Sequence, residues 1–535
     1  MKQNVPWWKS GVIYQLYPRS FLDTDGDGTG DLPGITAKLD YLADLGVDGI
    51  WLSPINCSPM FDFGYDISDY REIDPVFGRL SDFQHLLDQA HQRGIRVILD
   101  LVVNHTSHLH PWFVASRASR DNPKRGWYIW RDGKNKKPPN NWLAAFGGGA
   151  WQWDEPTGQY YLHSFLKEQP DLNWRNPEVR QAIAEEMRFW LDMGVDGFRL
   201  DVINFFVKDE NLRANPFGLG PTPRPYDLQK HIYDRNRPET LDVVRVFRGL
   251  TDQYDDRMMV GEVYTPPPGD PKLSATYLGT GEDALHLSFD FSIIYSRYGA
   301  GPFMKAASQW MESIPWAGWP CQVLNNHDQP RSLSRYGRPK HAPGRAKILA
   351  ALLLTLRGTP FIYYGEEIGM VNGRITRRQL VDPLGKKYWP LHKGRDPERT
   401  PMQWSNAPSA GFSTGDPWLP VNPDYPLINV EAQQQDPNSL LHFYRNLIAL
   451  RRKTPALSLG DWQPAAGSNR SVMAYYRSLG ADRLLVVLNF DASVAGIDFL
   501  ATDPARVVFG THRRKGEIVS APRLKLAPHE VLILG

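Results

Sequence analysis

Three acidic residues stand at the C-terminal ends of apolar segments whose composition indicates buried strands. They are Asp201 in GFRLD, Glu262 in MMVGE and Asp328 in VLNNHD. If these strands lie side by side in one parallel barrel, their carboxylates converge on the face where barrel enzymes keep their chemistry. Carboxylates that share one cleft are the usual apparatus for breaking a glycosidic bond. The sequence therefore predicts chemistry on sugars.

The surroundings of two of these acids predict different roles. Arg199 and Asp201 are two residues apart, so on a strand both side chains point to the same face, here the barrel interior. A guanidinium beside a carboxylate favours the ionised form, which suits attack on an anomeric carbon. Glu262 follows an apolar run and precedes Val263, surroundings that favour the protonated form of a general acid.

Charge and composition limit the partners of the protein. The chain has 535 residues with 61 Lys and Arg against 59 Asp and Glu, so no global field favours nucleic acid or an acidic membrane surface. We therefore expect a neutral substrate. The 18 tryptophans, within an aromatic content of 12%, suggest stacking surfaces for sugar rings in addition to core.

The cysteines and apolar runs predict a cytoplasmic protein. Cys57 and Cys321 are far apart and lack metal-like spacing, so we expect buried free thiols and no disulfide framework. The first residues, MKQNVPWWKSGVIYQ, contain no apolar signal region. The longest apolar run, Ile348 to Leu356, is too short to span a bilayer.

Short apolar runs alternate with amphipathic helical stretches from the start to about Gly369, a pattern typical of βα units around a parallel sheet. Eight strands can be counted, the number in a (β/α)8 TIM barrel. They begin at Val12, Val47, Ile95, Val195, Met258, Leu285, Gln322 and Pro360. Helices are indicated by three- and four-residue spacing of apolar residues. The clearest run from Asp31 to Leu45, Ser81 to Arg93, Asn176 to Met193, Arg345 to Leu356 and Asn438 to Arg452, and the helix after the fifth strand is poorly signalled.

Two further regions are expected around this α/β barrel. Residues 105–172 form an insertion after the third strand that is far longer than a usual βα loop. It is rich in Trp, Gly and Asn, and we expect this inserted domain to overhang the active face. From residue 461 to 535 the pattern changes to short alternating runs, which predicts a C-terminal antiparallel β-sandwich domain. Residues 1–104 and 173–460 then form the barrel.

Four motifs fall at the predicted ends of strands three, four, five and seven: DLVVNH (Asp100 to His105), GFRLD, GE and NNHD. Four companion segments are QPDLNW (Gln169 to Trp174), GYDISDY (Gly64 to Tyr70), YYGEEIGM (Tyr363 to Met370) and RTPMQW (Arg399 to Trp404). This ordered set resembles the α-amylase family, glycoside hydrolase family 13, over nearly the whole chain. The companion segments look like its oligo-1,6-glucosidase, dextran-glucosidase and α-glucosidase branch.

The resemblance implies a retaining exo-α-glucosidase that releases glucose from short α-glucosides, with some glucosyl transfer. It implies that Asp201 is the nucleophile, Glu262 the acid/base and Asp328 a third carboxylate that binds and distorts the sugar. Asp66, reached by Arg399 from the eighth-strand loop, would close the non-reducing end of the pocket. The other implied substrate-binding residues are Arg199, His105 and His327, which would hold sugar hydroxyls, and the aromatic walls Tyr65, Phe146 and Phe165.

A possible metal site lies in DTDGDGTGD, where acidic residues alternate as in an EF-hand loop. The predicted ligands are Asp23, Asp25, Asp27, the Thr29 carbonyl and Asp31. The twelfth position is Gly34 rather than Glu, so we expect a compact structural Ca2+ or Mg2+ site and not a sensor. The alternative is a solvated acidic turn that caps the helix at Leu32. No organic cofactor is expected.

Several alternatives stay open. A dedicated α-glucosyltransferase, a sucrose isomerase or a trehalose-6-phosphate hydrolase could share this scaffold. Phosphate recognition would need a basic cluster, and the only basic run in the insertion is Lys134 to Lys137, which favours a solvated loop. A non-catalytic binding subunit would lack the carboxylates. Val202 after the nucleophile is typical of α-1,6-acting enzymes, but GEVYTPPP is not, so linkage preference is left open, as is oligomeric state.

Overall fold

Eight parallel strands form one sheet in the computed structural model, which describes residues 5–135, 137–222, 224–337, 339–498, 505–519 and 523–535. In chain order we number them β1 to β8. They pair in the circular order β6-β5-β4-β3-β2-β1-β8-β7. The Cys321 thiol on β7 donates a hydrogen bond to the Ser288 carbonyl on β6 at 3.1 Å, so the first and last strands of this order lie side by side. The strands are Ile13–Leu16, Gly49–Leu52, Arg96–Leu101, Gly197–Leu200, Met258–Gly261, Leu287–Ser288, Cys321–Val323 and Thr359–Tyr363. The predicted barrel is confirmed.

The period-two alternation of the strands separates two apolar layers. One set of strand side chains forms a small cluster inside the barrel, which includes Ile13, Trp51, Ile98 and Val260. The intervening residues pack outward against the helices. The inner face carries Asp100, Arg199, Asp201 and Glu262 at its C-terminal end. Asp100 and Glu262 each lie two residues after a side chain that points inward, and Arg199 pairs with Asp100 across the sheet. Asp201 lies two residues after Arg199 and so points the same way. The alternation therefore delivers these polar groups to one rim.

The helices around the sheet largely follow the predicted periodicity. The run from Asp31 to Leu45 is an exception, because it forms two helices that break at Lys38, Leu32–Ala37 and Leu39–Leu45. The other predicted helices are Leu80–Gln92, Pro177–Met193, Ala342–Thr355 and Leu440–Lys453. After β5 the only regular element before β6 is the short helix Pro271–Thr276. Further helices span Trp7–Ser10, Pro111–Ala118, Glu239–Thr251, Ser292–Tyr295, Ala300–Ser313, Ser332–Tyr336, Pro383–Tyr388, Val430–Gln435 and Pro455–Ser458.

The long excursion after β3 contains a three-stranded antiparallel sheet of Trp130–Arg131, Gln159–Leu162 and Trp151–Asp154. Two of its tryptophans, Trp142 and Trp151, pack beside Tyr160 in a small separate core, whereas Trp127 and Trp130 belong to the main core. A second excursion, after β4, forms a hairpin held by the bridge between Phe217 and Gln229. Both excursions follow the C-terminal ends of their strands, and residues from each of them line the cavity at that end of the barrel.

The C-terminal region is antiparallel, as predicted. A six-stranded sheet and a two-stranded sheet share one apolar core, which includes Val487 and Leu532 from the larger and Ile497 and Leu524 from the smaller. The strands are Asp461–Pro464, Val472–Leu479, Asp482–Asn489, Ala495–Asp498, Ala505–Gly510, Ile518–Val519, Arg523–Leu526 and Val531–Leu534. Cys321 is a buried free thiol and Cys57 is a half-buried one. Within the described ranges, no helix has the length and apolar character needed to cross a membrane.

Candidate active site

The three predicted carboxylates open into one cavity of about 880 Å³ at the C-terminal rim of the barrel. Asp201 and Glu262 come directly after β4 and β5, which are neighbours in the sheet. Asp328 lies five residues beyond the end of β7. Ligand pockets commonly have volumes of roughly 300–1,000 Å³, so this cavity has room for a small oligosaccharide.

Arg199 joins the two strand-end acids. Its Nη1 donates to Asp201 at 2.8 Å and to Asp100, on β3, at 2.7 Å. Its Nη2 donates to Glu262. The guanidinium is buried, so one cation faces three carboxylates away from water. Asp100 is the first residue of the DLVVNH motif but was not predicted as a site residue. It lies beside Arg199 because the register of β3 and β4 pairs the two residues.

The protonation behaviour of these acids differs in part from the prediction. Burial raises the pKa of Glu262 to about 8, against the charge of Arg199 and with the charges of Asp201 and Asp328. This agrees with the expected general acid. Burial also raises the pKa of Asp201, to about 7, even though Arg199 opposes the rise. The expectation that Arg199 keeps Asp201 well ionised was wrong, because one guanidinium is divided among three acids in a dry site.

Asp328 behaves in the opposite way. Burial alone would raise its pKa, but the charges of His327, Arg395 and Arg399 hold that pKa well below its usual range. Arg399 donates to Asp328 at 2.7 Å and Arg395 does so at 3.3 Å. Asp328 is therefore ionised near neutral pH and can accept hydrogen bonds.

Tyr65, predicted as an aromatic wall, contacts both histidines that were predicted to hold sugar hydroxyls: its carbonyl lies 2.8 Å from His105 Nε2, and its hydroxyl bonds to His327. The Tyr65 hydroxyl donates to Asp100 at 2.9 Å and shares a 2.6 Å bond with His327 Nε2. His327 is fully buried, and its Nδ1 bonds to Gln15 at 2.8 Å. Tyr65 and His105 line the cavity. Burial lowers the pKa of His105 to about 4, so its ring is neutral at physiological pH.

Aromatic and apolar side chains supply the walls of the cavity. The predicted residues Phe146 and Phe165 both line it, with ring centroids 5.6 Å apart. Val202, next to Asp201, also lines it and adopts a left-handed backbone with φ of 35°. Other lining residues were not predicted. They include Tyr264, Phe291 and Tyr295, together with Thr222, Arg224 and Asp227 from the hairpin after β4.

The predicted pairing of Asp66 with Arg399 is wrong. Asp66 is fully buried and accepts hydrogen bonds from the Ser58 hydroxyl at 2.9 Å and from the Phe61 and Asp62 amides at 3.0 Å, so it ties its own turn together. Arg399 donates to the His327 carbonyl at 2.8 Å and to Asp328.

The residues four positions before Asp66 and Arg399, just upstream of the quoted motifs, form the pair instead. Arg395 Nη2 donates to Asp62 Oδ1 at 2.6 Å, and both side chains line the cavity. A residue of the same type therefore stands four positions before each predicted one, and the sequence alone could not choose between them. The turn at Phe63 and Gly64, both at positive φ, turns Asp62 toward the pocket. Burial raises the pKa of Asp62, and Arg395 and Arg399 oppose that rise.

The residues predicted as metal ligands in the acidic loop after β1 fall into two groups, one that can bind a cation and one that bonds to the backbone. Oxygen atoms of Asp23, Asp25 and Asp27 lie within 4.8 Å of one another, a donor set that fits a hard divalent cation. The Asp31 carboxylate instead caps the helix Leu32–Ala37 by accepting from the Gly34 amide at 2.6 Å. It also accepts from the Thr24 amide and hydroxyl at 2.8 Å. The Thr29 amide donates to Asp27 at 2.6 Å.

Comparisons with known proteins agree with this architecture. The family described as "Alpha amylase, catalytic domain" matches residues 15–460. A probable α-glucosidase of Rhizobium meliloti (strain 1021) is 45% identical over 504 residues, which cover 91% of this chain and 90% of that protein. An oligo-1,6-glucosidase of Parageobacillus thermoglucosidasius is 44% identical over 515 residues, with 90% of each chain covered. The crystal structure of the α-glucosyl transfer enzyme XgtA is 42% identical, with a TM-score of 0.93 and 99% of each chain covered.

Proposed function

The chain belongs to the α-amylase family and is a glycoside hydrolase, and we propose that it is a retaining exo-α-glucosidase that removes glucose from the non-reducing end of short α-glucosides. The observation that carries the proposal is the arrangement of Asp201 and Glu262. They stand at the ends of neighbouring strands, share Arg199 and open into one cavity.

Asp201 acts as the nucleophile in this proposal. Its ionised form attacks the anomeric carbon while protonated Glu262 gives its proton to the leaving oxygen. The raised pKa of Glu262, about 8, keeps that proton available near neutral pH. Glu262 then removes a proton from water, which attacks the covalent intermediate. Two displacements at one carbon leave the product in the α configuration.

Exo-action is supported by Asp62 and Arg395. These side chains meet at 2.6 Å and line the cavity, so a terminal glucose can hydrogen-bond to both of them. A charge pair at the end of a pocket also blocks a longer chain from passing through it. Asp328, held ionised by the neighbouring arginines, accepts hydrogen bonds from the same sugar.

Aromatic residues that line the cavity favour glucosyl transfer as a second activity. The wall formed by Tyr264, Phe291 and Tyr295 can hold a sugar acceptor by stacking, so that an acceptor hydroxyl replaces water in the second step. The similarity to an α-glucosyl transfer enzyme supports the same idea. Linkage preference is a separate question, because the similar proteins include both a probable α-glucosidase and an oligo-1,6-glucosidase.

A divalent cation is also proposed for the loop after β1. Asp23, Asp25 and Asp27 would hold Ca2+ or Mg2+, which would cancel their mutual repulsion. The loop is tied to the segment after β8 because the Ser413 hydroxyl donates to Asp23 at 2.5 Å. The cation would therefore serve the fold rather than the reaction.

The test combines a substrate panel with long glucans. Initial rates on maltose, isomaltose, nigerose, kojibiose, trehalose and sucrose, with products resolved, should show glucose release and should separate hydrolysis from transfer and from sucrose rearrangement. On soluble starch we expect slow glucose release without a rapid fall in viscosity. Early mixed oligosaccharides with falling viscosity would contradict exo-action.

A further inference from the structure

A buried carboxylate lies behind the end of the sugar pocket. Asp382 is fully buried, in the loop that follows β8. Its Oδ1 accepts a hydrogen bond from Arg395 Nε at 2.8 Å and lies 2.6 Å from Arg395 Nη2. Burial alone would raise the pKa of Asp382, but Arg395 and Arg399 lower it, so the side chain is ionised.

The surrounding loop is built around this carboxylate. Asp382 Oδ2 accepts from the Gly385 amide at 2.9 Å and from the Arg395 amide at 3.3 Å. Gly394 has φ of 75°, and a Cβ there would come within 2.5 Å of Asp382 Oδ2. Asp396 in turn accepts from the amide of Asp382 at 3.0 Å. The carboxylate therefore has a fixed position relative to the backbone on both sides.

Both Nη groups of the same guanidinium also contact acids that line the substrate pocket. Arg395 Nη2 donates to Asp62 and Nη1 donates to Asp328. The ring of Phe146 lies 4.8 Å from the guanidinium carbon. A guanidinium is planar and its donors form a rigid fork, so a bond to Nε at the back fixes the direction of the Nη groups at the front. Without that bond, Arg395 could rotate between Asp62 and Asp328.

We propose that Asp382 is a positioning residue for substrate recognition: it orients Arg395 so that Asp62 and Asp328 are correctly spaced for the terminal glucose. The inference rests on the proposed exo-α-glucosidase function. The competing explanation is that Asp382 only caps the helix Pro383–Tyr388, whose Gly385 amide it accepts.

A second helix in the chain provides a matched control for that explanation. Asp270 caps Pro271–Thr276, which also has six residues and begins with proline, by accepting from the Leu273 amide at 3.0 Å. Asp270 is exposed, and among the described residues no arginine hydrogen-bonds or forms an ion pair with it. Replacing Asp270 by alanine therefore removes the same kind of cap without disturbing a guanidinium.

The experiment compares Asp382→Asn, Asp382→Ser and Asp270→Ala in the full chain. Serine caps helices about as well as aspartate but offers no carboxylate to Arg395. For both Asp382 variants we expect the KM for an aryl α-glucoside and the inhibition constant of glucose to rise roughly tenfold or more, with kcat changed much less. Asp270→Ala, which removes a cap of the same kind, should leave both constants unchanged. In a double-mutant cycle with Asp62→Ala, the effects on KM should be less than additive.

The proposal would be overturned by KM and glucose inhibition that stay at the unmodified values in folded Asp382→Ser. It would also be overturned if neither Asp382 variant folds, since the fold rather than substrate placement would then require this residue. Failure of the proposed function gives a different result, namely no glucose release from any α-glucoside by the unmodified enzyme.

Discussion

Two groups of buried charges surround the sugar pocket, and they differ in origin and in protonation. The strand cluster consists of Arg199, Asp100, Asp201 and Glu262, all on or directly after neighbouring strands. The loop cluster consists of Asp62, Asp328, Asp382, Arg395 and Arg399, which come from the loops after β2, β7 and β8. One cation serves three acids in the first, whereas two cations serve three acids in the second.

This difference in charge balance explains the difference in pKa. In the strand cluster the excess of acids and the burial raise the pKa of Asp201 and Glu262 toward neutrality. In the loop cluster the two arginines lower the pKa of Asp328 and Asp382 despite their burial, whereas for Asp62 burial outweighs the same two arginines and its pKa is raised. A group that must exchange protons, as Glu262 must, needs a pKa near the working pH, whereas groups that only bind a sugar do not. The strand cluster is thus suited to catalysis and the loop cluster to recognition.

The largest effect is expected from removing the nucleophile of the strand cluster. Asp201→Asn is nearly isosteric but has no charge with which to attack, so kcat should fall by roughly 10⁴-fold or more. The thermal midpoint should change little. Activity assays on purified protein, with circular dichroism to verify folding, check this. Substantial hydrolysis by a folded variant would remove Asp201 from its proposed role.

A smaller effect is expected at the acid/base. Glu262→Gln should reduce kcat/KM for maltose by roughly 10²- to 10⁴-fold, the usual range for general acid–base catalysis. The loss at the glycosylation step should be much smaller for an aryl glucoside, because a good leaving group needs little protonation. Equal losses on both substrates would show that Glu262 has another function.

The pH dependence of the unmodified enzyme follows from the same two groups. Protonated Glu262 is required, so kcat/KM should fall as pH rises through about 8. Ionised Asp201 is required, so kcat/KM should also fall as pH drops through about 7. Loss of the alkaline limb in Glu262→Gln would support the assignment, and an unchanged alkaline limb would contradict it.

The loop cluster should affect binding rather than chemistry, and two neighbouring acids test this. Asp62→Ala removes a charged hydrogen-bond partner of the terminal glucose, so KM should rise by about 10- to 100-fold. Asp66→Ala instead leaves the Phe61 and Asp62 amides without their acceptor. It should therefore lower the thermal midpoint more than it raises KM. If Asp66→Ala raises KM more than it lowers the thermal midpoint, the result would support the pairing of Asp66 with Arg399 instead.

The smallest effect is expected in the acidic loop after β1, which lies outside both clusters. Removing a divalent cation with EDTA should lower the thermal midpoint by a few degrees and leave kcat at moderate temperature unchanged. Asp25→Asn should weaken the response to added Ca2+ or Mg2+. An unchanged midpoint in EDTA, with no metal found by elemental analysis, would mean that the loop is a solvated turn.

The same contrast accounts for what the sequence could predict. Strand residues follow a strict alternation, so Arg199 beside Asp201 could be placed on one face from spacing alone. The loop cluster joins residues as distant as Asp62 and Arg395, and neither alternation nor periodicity constrains them. The motifs GYDISDY and RTPMQW pointed to the correct loops but to Asp66 and Arg399. The break at Lys38 also carries no signal in the spacing of apolar residues, which continues through it.

The central claim is that Asp201 and Glu262 cleave the glucosidic bond with retention, and proton NMR during early hydrolysis of an aryl α-glucoside tests it most directly. The account expects the anomeric signal of α-glucose to appear first, followed by slow growth of the β signal through mutarotation. If β-glucose appears first, water attacks the anomeric carbon directly and Asp201 is not a covalent nucleophile.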